Sequence, residues 1–162
     1  MAKLVEGLRL LAAEGVEVIL VGMLSAVVRG APATTFDIDI VHRRTPQNVD
    51  RLLRVLLSID AVHRGDPRKL PPTAERLMGP GHQLLSTRLG DIDCLGALHG
   101  GETYDDLLPH SDPIPLGDGA TLRVLRLETL IEIKRAAGRA KDRAVLPLLE
   151  ETLEALRTRQ RG

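Results

Sequence analysis

Apolar residues recur along this chain with two different periods, and the switches between them outline its elements. Leu4, Leu8 and Leu11 fall at helical spacing, which predicts a first helix over 2–14 ended by Gly15. The run VEVILV that follows is apolar and β-branched, and predicts a buried strand at 16–21. GMLSAVVRG is short and rich in small residues; it predicts a helix that opens at Gly22 and closes at Gly30. FDIDIV then alternates with period two, so 36–41 is a second strand. Thr45-Pro46 combines a capping hydroxyl with proline at the first helical position. It starts a helix with Val49, Leu52, Leu53, Leu56 and Leu57 on its apolar face, running to about Ser58. Residues 64–81 hold four prolines and three glycines and read as a flexible loop, with AERLM as a single helical turn inside it.

Beyond that loop, HQLLSTR and DIDCLGAL flank Leu89-Gly90 as a hairpin. YDDLL is a short helix, and DPIPLGDGATLRVL reads as strand, turn at Gly117–Gly119, strand. Leu127, Leu130, Ile131 and Lys134 share one helical face, and Gly138 ends that helix. Val145, Leu149, Thr152, Leu153 and Leu156 share a face on a last helix, where Pro147 kinks or resets an early turn. The order predicts a single α+β domain over 1–162: a small mixed sheet flanked by helices, with a helical C-terminal portion at about 126–160.

Composition narrows the picture. Lys+Arg and Asp+Glu balance at 22 each, so no basic excess marks an extended nucleic-acid or membrane surface. Phe36 and Tyr104 are the aromatic residues, too few for gripping single strands by stacking. One cysteine, Cys94, excludes an intrachain disulfide and fits a reducing cytoplasm. The first residues lack the apolar core and cleavage site of a signal peptide, and no apolar stretch reaches 18 residues. The five histidines form no zinc pattern.

The chemistry concentrates in TTFDIDIVH, Thr34 to His42. On a strand, Asp37 and Asp39 project to the same side, with Cβ atoms roughly 7 Å apart. Phe36, Ile38 and Ile40 then point the other way, into a core. Two carboxylates on one face repel unless a cation lies between them, and oxygen ligands at that spacing suit Mg²⁺. Asp91 and Asp93 in GDIDCLG repeat the pattern; on a neighbouring strand Asp93 supplies a third ligand. Taken alone, an Asp-x-Asp on a strand is more often a solvated face than a site. The turn upstream shifts that balance. Gly22 follows a buried strand and opens a helix, a geometry suited to close approach of a phosphate, with the Ser25 hydroxyl nearby.

Strand, glycine turn, helix and Asp-x-Asp strand together resemble the nucleotidyltransferase superfamily, the DNA polymerase β-like fold in its small bacterial form. Val21-Gly22-Met23, thirteen residues, then Asp37-Ile38-Asp39 match its signature, and Thr35 stands two before the first aspartate, as in many members. LGDIDCLG resembles the strand bearing the family's third carboxylate, here Asp93. LETLIEIKRAAGRAKDRAVLPLLE is similar to a segment of AbiEii-like and related nucleotidyltransferases.

The resemblance implies transfer of a nucleoside monophosphate from an NTP to an acceptor hydroxyl. Asp37, Asp39 and Asp93 would hold two Mg²⁺ ions, and Asp93 would help deprotonate the acceptor. The NTP would lie against Gly22, Ser25 and Thr35, with Lys134 on the triphosphate and Arg139 and Lys141 as weaker contacts. For Arg139, Lys141 and Asp142 a solvated turn between helices competes with a site. Acceptor classes left open are tRNA, a protein hydroxyl and a small molecule such as an aminoglycoside. Met23 replaces the second small residue of the glycine signature, and Ala33 stands where an arginine often precedes the threonine. These two departures motivate another expectation: a catalytically impaired relative acting as a regulatory partner, as in a toxin–antitoxin pair. A sugar-nucleotide transferase with an Asp-x-Asp motif ranks lower, because only 36 residues precede Asp37.

Overall fold

The computed structural model describes residues 1–162. Its elements are α1 (Ala2–Ala13), β1 (Val18–Val21), α2 (Gly22–Val28), β2 (Asp37–His42), α3 (Pro46–Ser58), β3 (Val62–His63), α4 (Ala74–Met78), β4 (His82–Thr87), β5 (Gly90–Leu95), α5 (Tyr104–Leu107), β6 (Ser111–Gly117), β7 (Ala120–Leu125), α6 (Leu127–Ala137) and α7 (Ala140–Arg161). A 3-10 turn at Leu108–His110 joins α5 to β6. No helix is long and apolar enough to cross a membrane.

All seven strands form one mixed sheet in the order β3-β4-β5-β2-β1-β7-β6. The central pairings β2 with β5 and β1 with β7 are parallel, and the rest are antiparallel. The edges follow from sequence. β6 carries Pro113 and Pro115, which lack the N–H a central strand needs. At the other edge β3 is only two residues long, a length that limits pairing with another chain.

Side-chain alternation divides the core between the two faces. One face packs Ile38 and Ile40 of β2, Ile92 and Cys94 of β5 and Leu85 of β4 under α1, α3 and α4, in a cluster of 22 buried residues. The opposite face joins Ile19, Val21, Val41 and Leu125 to Tyr104, Leu130, Ile131 and Leu149, in a cluster of 12. α5, α6 and α7 cover that second face, and the C-terminal helices fall where the Leu127 and Leu149 patterns place them.

Four details depart from the sequence reading. Phe36 is 79% exposed instead of entering the core, because β2 begins one residue later, at Asp37. On α3, Val55 is buried and Leu57 is exposed. At about 100° per residue, Val55 lies closer than Leu57 to the direction of Leu52. Segment 64–81 is anchored within the fold: Leu77 of α4 is fully buried, and its carbonyl accepts from His42 Nε2 at 2.7 Å. Pro147 lies well inside α7, which continues through it.

Candidate functional site

The parallel pairing of β2 with β5 sets Asp37 beside Asp91 and Asp39 beside Asp93. Because the side-chain period is two, these carboxylates share one face, opposite Ile38, Ile40, Ile92 and Cys94. Oxygen atoms from Asp37, Asp39 and Asp93 lie within 4.8 Å of one another. Asp91 stands outside this group, and its carboxylate lies 3.2 Å from Arg64 Nε. The structure thus brings together the three aspartates that the sequence singles out, across strands about fifty residues apart in the chain.

Crowding three carboxylates has an electrostatic consequence. Burial, followed by the charges of Asp93 and Asp37 and a hydrogen bond with Asp93, pushes the Asp39 carboxyl up to about 7. The Lys134 ammonium pulls it the other way, but less strongly. A proton on Asp39 relieves the repulsion near neutrality. Three hard oxygen donors converging in this way also fit a divalent cation such as Mg²⁺, which would displace that proton.

Gly22 gives the cluster its tight corner. Val21 pairs directly with Asp39, and the chain turns into α2 at the next residue. Gly22 has φ +66°, and a Cβ there would collide with Asp39 Oδ2. The glycine therefore permits both the left-handed turn and the approach of Asp39. Ser25 is buried, and its hydroxyl donates to the Gly22 carbonyl at 2.5 Å, bracing the turn. Met23 packs against the apolar cluster around Ile19 and Val21. Thr35 is half-buried, two residues before Asp37.

Lys134 belongs to the same neighbourhood, since its charge acts on Asp39. Its Nζ lies 3.4 Å from Asp142 Oδ1, and its side chain is largely buried. Asp142 is not the solvated turn residue expected: it is 1% exposed. It accepts from Arg139 Nε at 2.6 Å and from the Arg139 backbone N–H, closing the start of α7. The flanking arginine and lysine hold the Asp142 carboxyl below the usual range. Arg139 and Lys141 are exposed.

Arg64 is the residue that sequence reasoning missed. It follows β3 in a stretch read as loop, yet its Nη2 donates to Asp93 Oδ1 at 2.6 Å. The available signal was weak: an arginine directly after the short run AVH, at the start of a proline-rich segment.

No family model and no curated protein matches the chain. Among solved structures, it is similar to that of a "putative nucleotidyltransferase" from Thermotoga maritima. The two share 19% sequence identity with a TM-score of 0.56, over 89% of this chain and 88% of the other. At that identity the likeness is one of fold, and the fold of this chain is nucleotidyltransferase-like.

Proposed function

We propose that this chain is a Mg²⁺-dependent nucleotidyltransferase of the small bacterial kind, allied to the AbiEii-like group and working in the cytoplasm. It takes an NTP and an acceptor hydroxyl. The acceptor oxygen forms a bond to the α-phosphorus, the bond to the β-phosphate bridge breaks, and pyrophosphate leaves. The observation that carries this reading is the convergence of Asp37, Asp39 and Asp93 within 4.8 Å on adjacent strands. Those three residues would hold the metal, which supplies charge neutralisation at the phosphates and acidifies the acceptor hydroxyl.

The protein's own groups divide the remaining work. Asp93 accepts the acceptor's proton. Gly22 lets the Asp39 carboxylate lie directly against the turn into α2, and the phosphates would meet the backbone of that turn beside it. Lys134, on the facing helix, offsets triphosphate charge. Met23 supports the catalytic reading over a merely regulatory one, because its bulk lies against the apolar cluster.

Calorimetry with each of the four NTPs, with and without Mg²⁺, tests the proposal. Binding heat is expected only with the metal, and none in Asp37→Ala/Asp39→Ala. Absence of metal-dependent heat with every NTP sinks the reading. Radiolabelled NTP offered with tRNA, protein and aminoglycoside acceptors then identifies the acceptor class.

A further inference from the structure

Arg64 links the edge of the sheet to the carboxylate cluster. Its backbone N–H donates to the Leu84 carbonyl at 2.9 Å, which fixes the Cα against β4. The side chain then crosses β4 toward β5. Nη2 donates to the Leu85 carbonyl at 3.0 Å and to Asp93 Oδ1 at 2.6 Å, while Nε lies 3.2 Å from Asp91 Oδ2. A planar guanidinium with three anchors is held in one orientation, and charge-assisted bonds of this length are strong ones. The Asp93 side chain is 15% exposed and that of Arg64 32%, so the contact lies at the open rim of the site.

We infer that Arg64 is a positioning residue for nucleotidyl transfer: it sets the Asp93 carboxylate beside Asp39, and Asp91 serves to hold Arg64. This rests on the function proposed above. The physical reason is repulsion. Asp37, Asp39 and Asp93 crowd one another, and a free Asp93 would relieve the strain by rotating away from the other two. Arg64 engages Asp93 Oδ1 and so restrains the carboxylate from rotating away from the cluster. Asp91, the i−2 neighbour of Asp93 on the same face, completes the clamp from outside the triad. A lysine at position 64 would keep the charge but lose the fork.

Mn²⁺ binding, followed by loss of the free-ion paramagnetic resonance signal, and steady-state transfer from labelled NTP to the best acceptor together test this role. In Arg64→Ala, Mn²⁺ affinity and kcat should each fall roughly 10- to 100-fold, with KM for NTP changed less than about threefold. Arg64→Lys should recover part of the loss. Asp91→Asn should act in the same direction by less, and add little to Arg64→Ala, because the two act through one contact. If Arg64→Ala melts below the assay temperature, Arg64→Lys and Asp91→Asn carry the comparison. Unchanged Mn²⁺ binding and kcat in these variants overturns the positioning role and leaves transfer standing. Tighter Mn²⁺ binding also overturns it, since Arg64 would then compete with the cation. A wild-type chain that neither binds Mn²⁺ nor transfers overturns the transferase reading itself, and the role of Arg64 with it.

Discussion

The two faces of β2 differ by chemistry at every other residue. Ile38 and Ile40 are fully buried under α1 and α3, while Asp37 and Asp39 keep partial access to solvent on the other side. β5 repeats the division, with Ile92 and Cys94 against Asp91 and Asp93. Each buried isoleucine contributes about 2 kcal/mol through removal of apolar surface from water. The aspartates work against folding, since they repel and lose hydration. The comparison teaches where the site draws its rigidity: the closed face holds the strands in register, and the register holds three repelling groups within reach of one cation.

Disturbing each face in turn separates these roles. The largest effect is expected from Ile40→Ala, which opens a cavity in the closed face and should cost about 2–5 kcal/mol in chemical denaturation. Activity of the folded fraction should remain close to wild type. Gly22→Ala attacks the other face. A Cβ meets Asp39 Oδ2 in a left-handed turn. Stability should fall by about 1–2 kcal/mol, and transfer by about a hundredfold through misplacement of Asp39. Equal losses of activity in the two variants would erase the distinction between the faces.

Asp39→Asn gives the sharpest sign. Because the folded Asp39 carboxyl titrates at about 7, against 3.8 for an ordinary aspartate, the folded chain binds the extra proton between those values. Wild-type stability therefore falls as pH rises through that window, and the loss is complete above about 7. An uncharged amide at this position carries no such penalty. Without divalent metal, the variant should melt higher than wild type at pH 8, and no higher near pH 4. Mg²⁺ should raise the wild-type melting temperature and leave the variant nearly unchanged. A melting difference independent of pH would remove the electrostatic account of the cluster.

Much of this architecture was legible because local signals agreed with tertiary ones. Thr45-Pro46 predicts the start of α3, and the Thr45 hydroxyl does accept from the Asn48 N–H. Period two in DIDIV fixes which carboxylates share a face. Asp93 became a partner of Asp39 only through the β2–β5 pairing, for which the sequence offered a matching motif but no register. What escaped was long-range and side-chain specific. Arg64 reaches Asp93 across an intervening strand, and no local pattern encodes that distance. Asp142 looked like an exposed turn residue, because burial there depends on how α6 meets α7. Phe36 failed by a single position: period two was correctly read, but the strand began one residue later.

The pairing of β1 with β7 has a consequence for how the molecule is made. β1 ends about a hundred residues before its parallel neighbour β7 begins. A ribosome halted before residue 120 has already joined all three cluster aspartates into the chain, yet β1 still lacks its β7 neighbour and Lys134 is not yet added. Such a nascent chain is a template for association with its own copies. Completion of the sheet beside the Gly22 corner therefore waits on residues about a hundred positions downstream, a long-range parallel pairing of the kind that closes slowly.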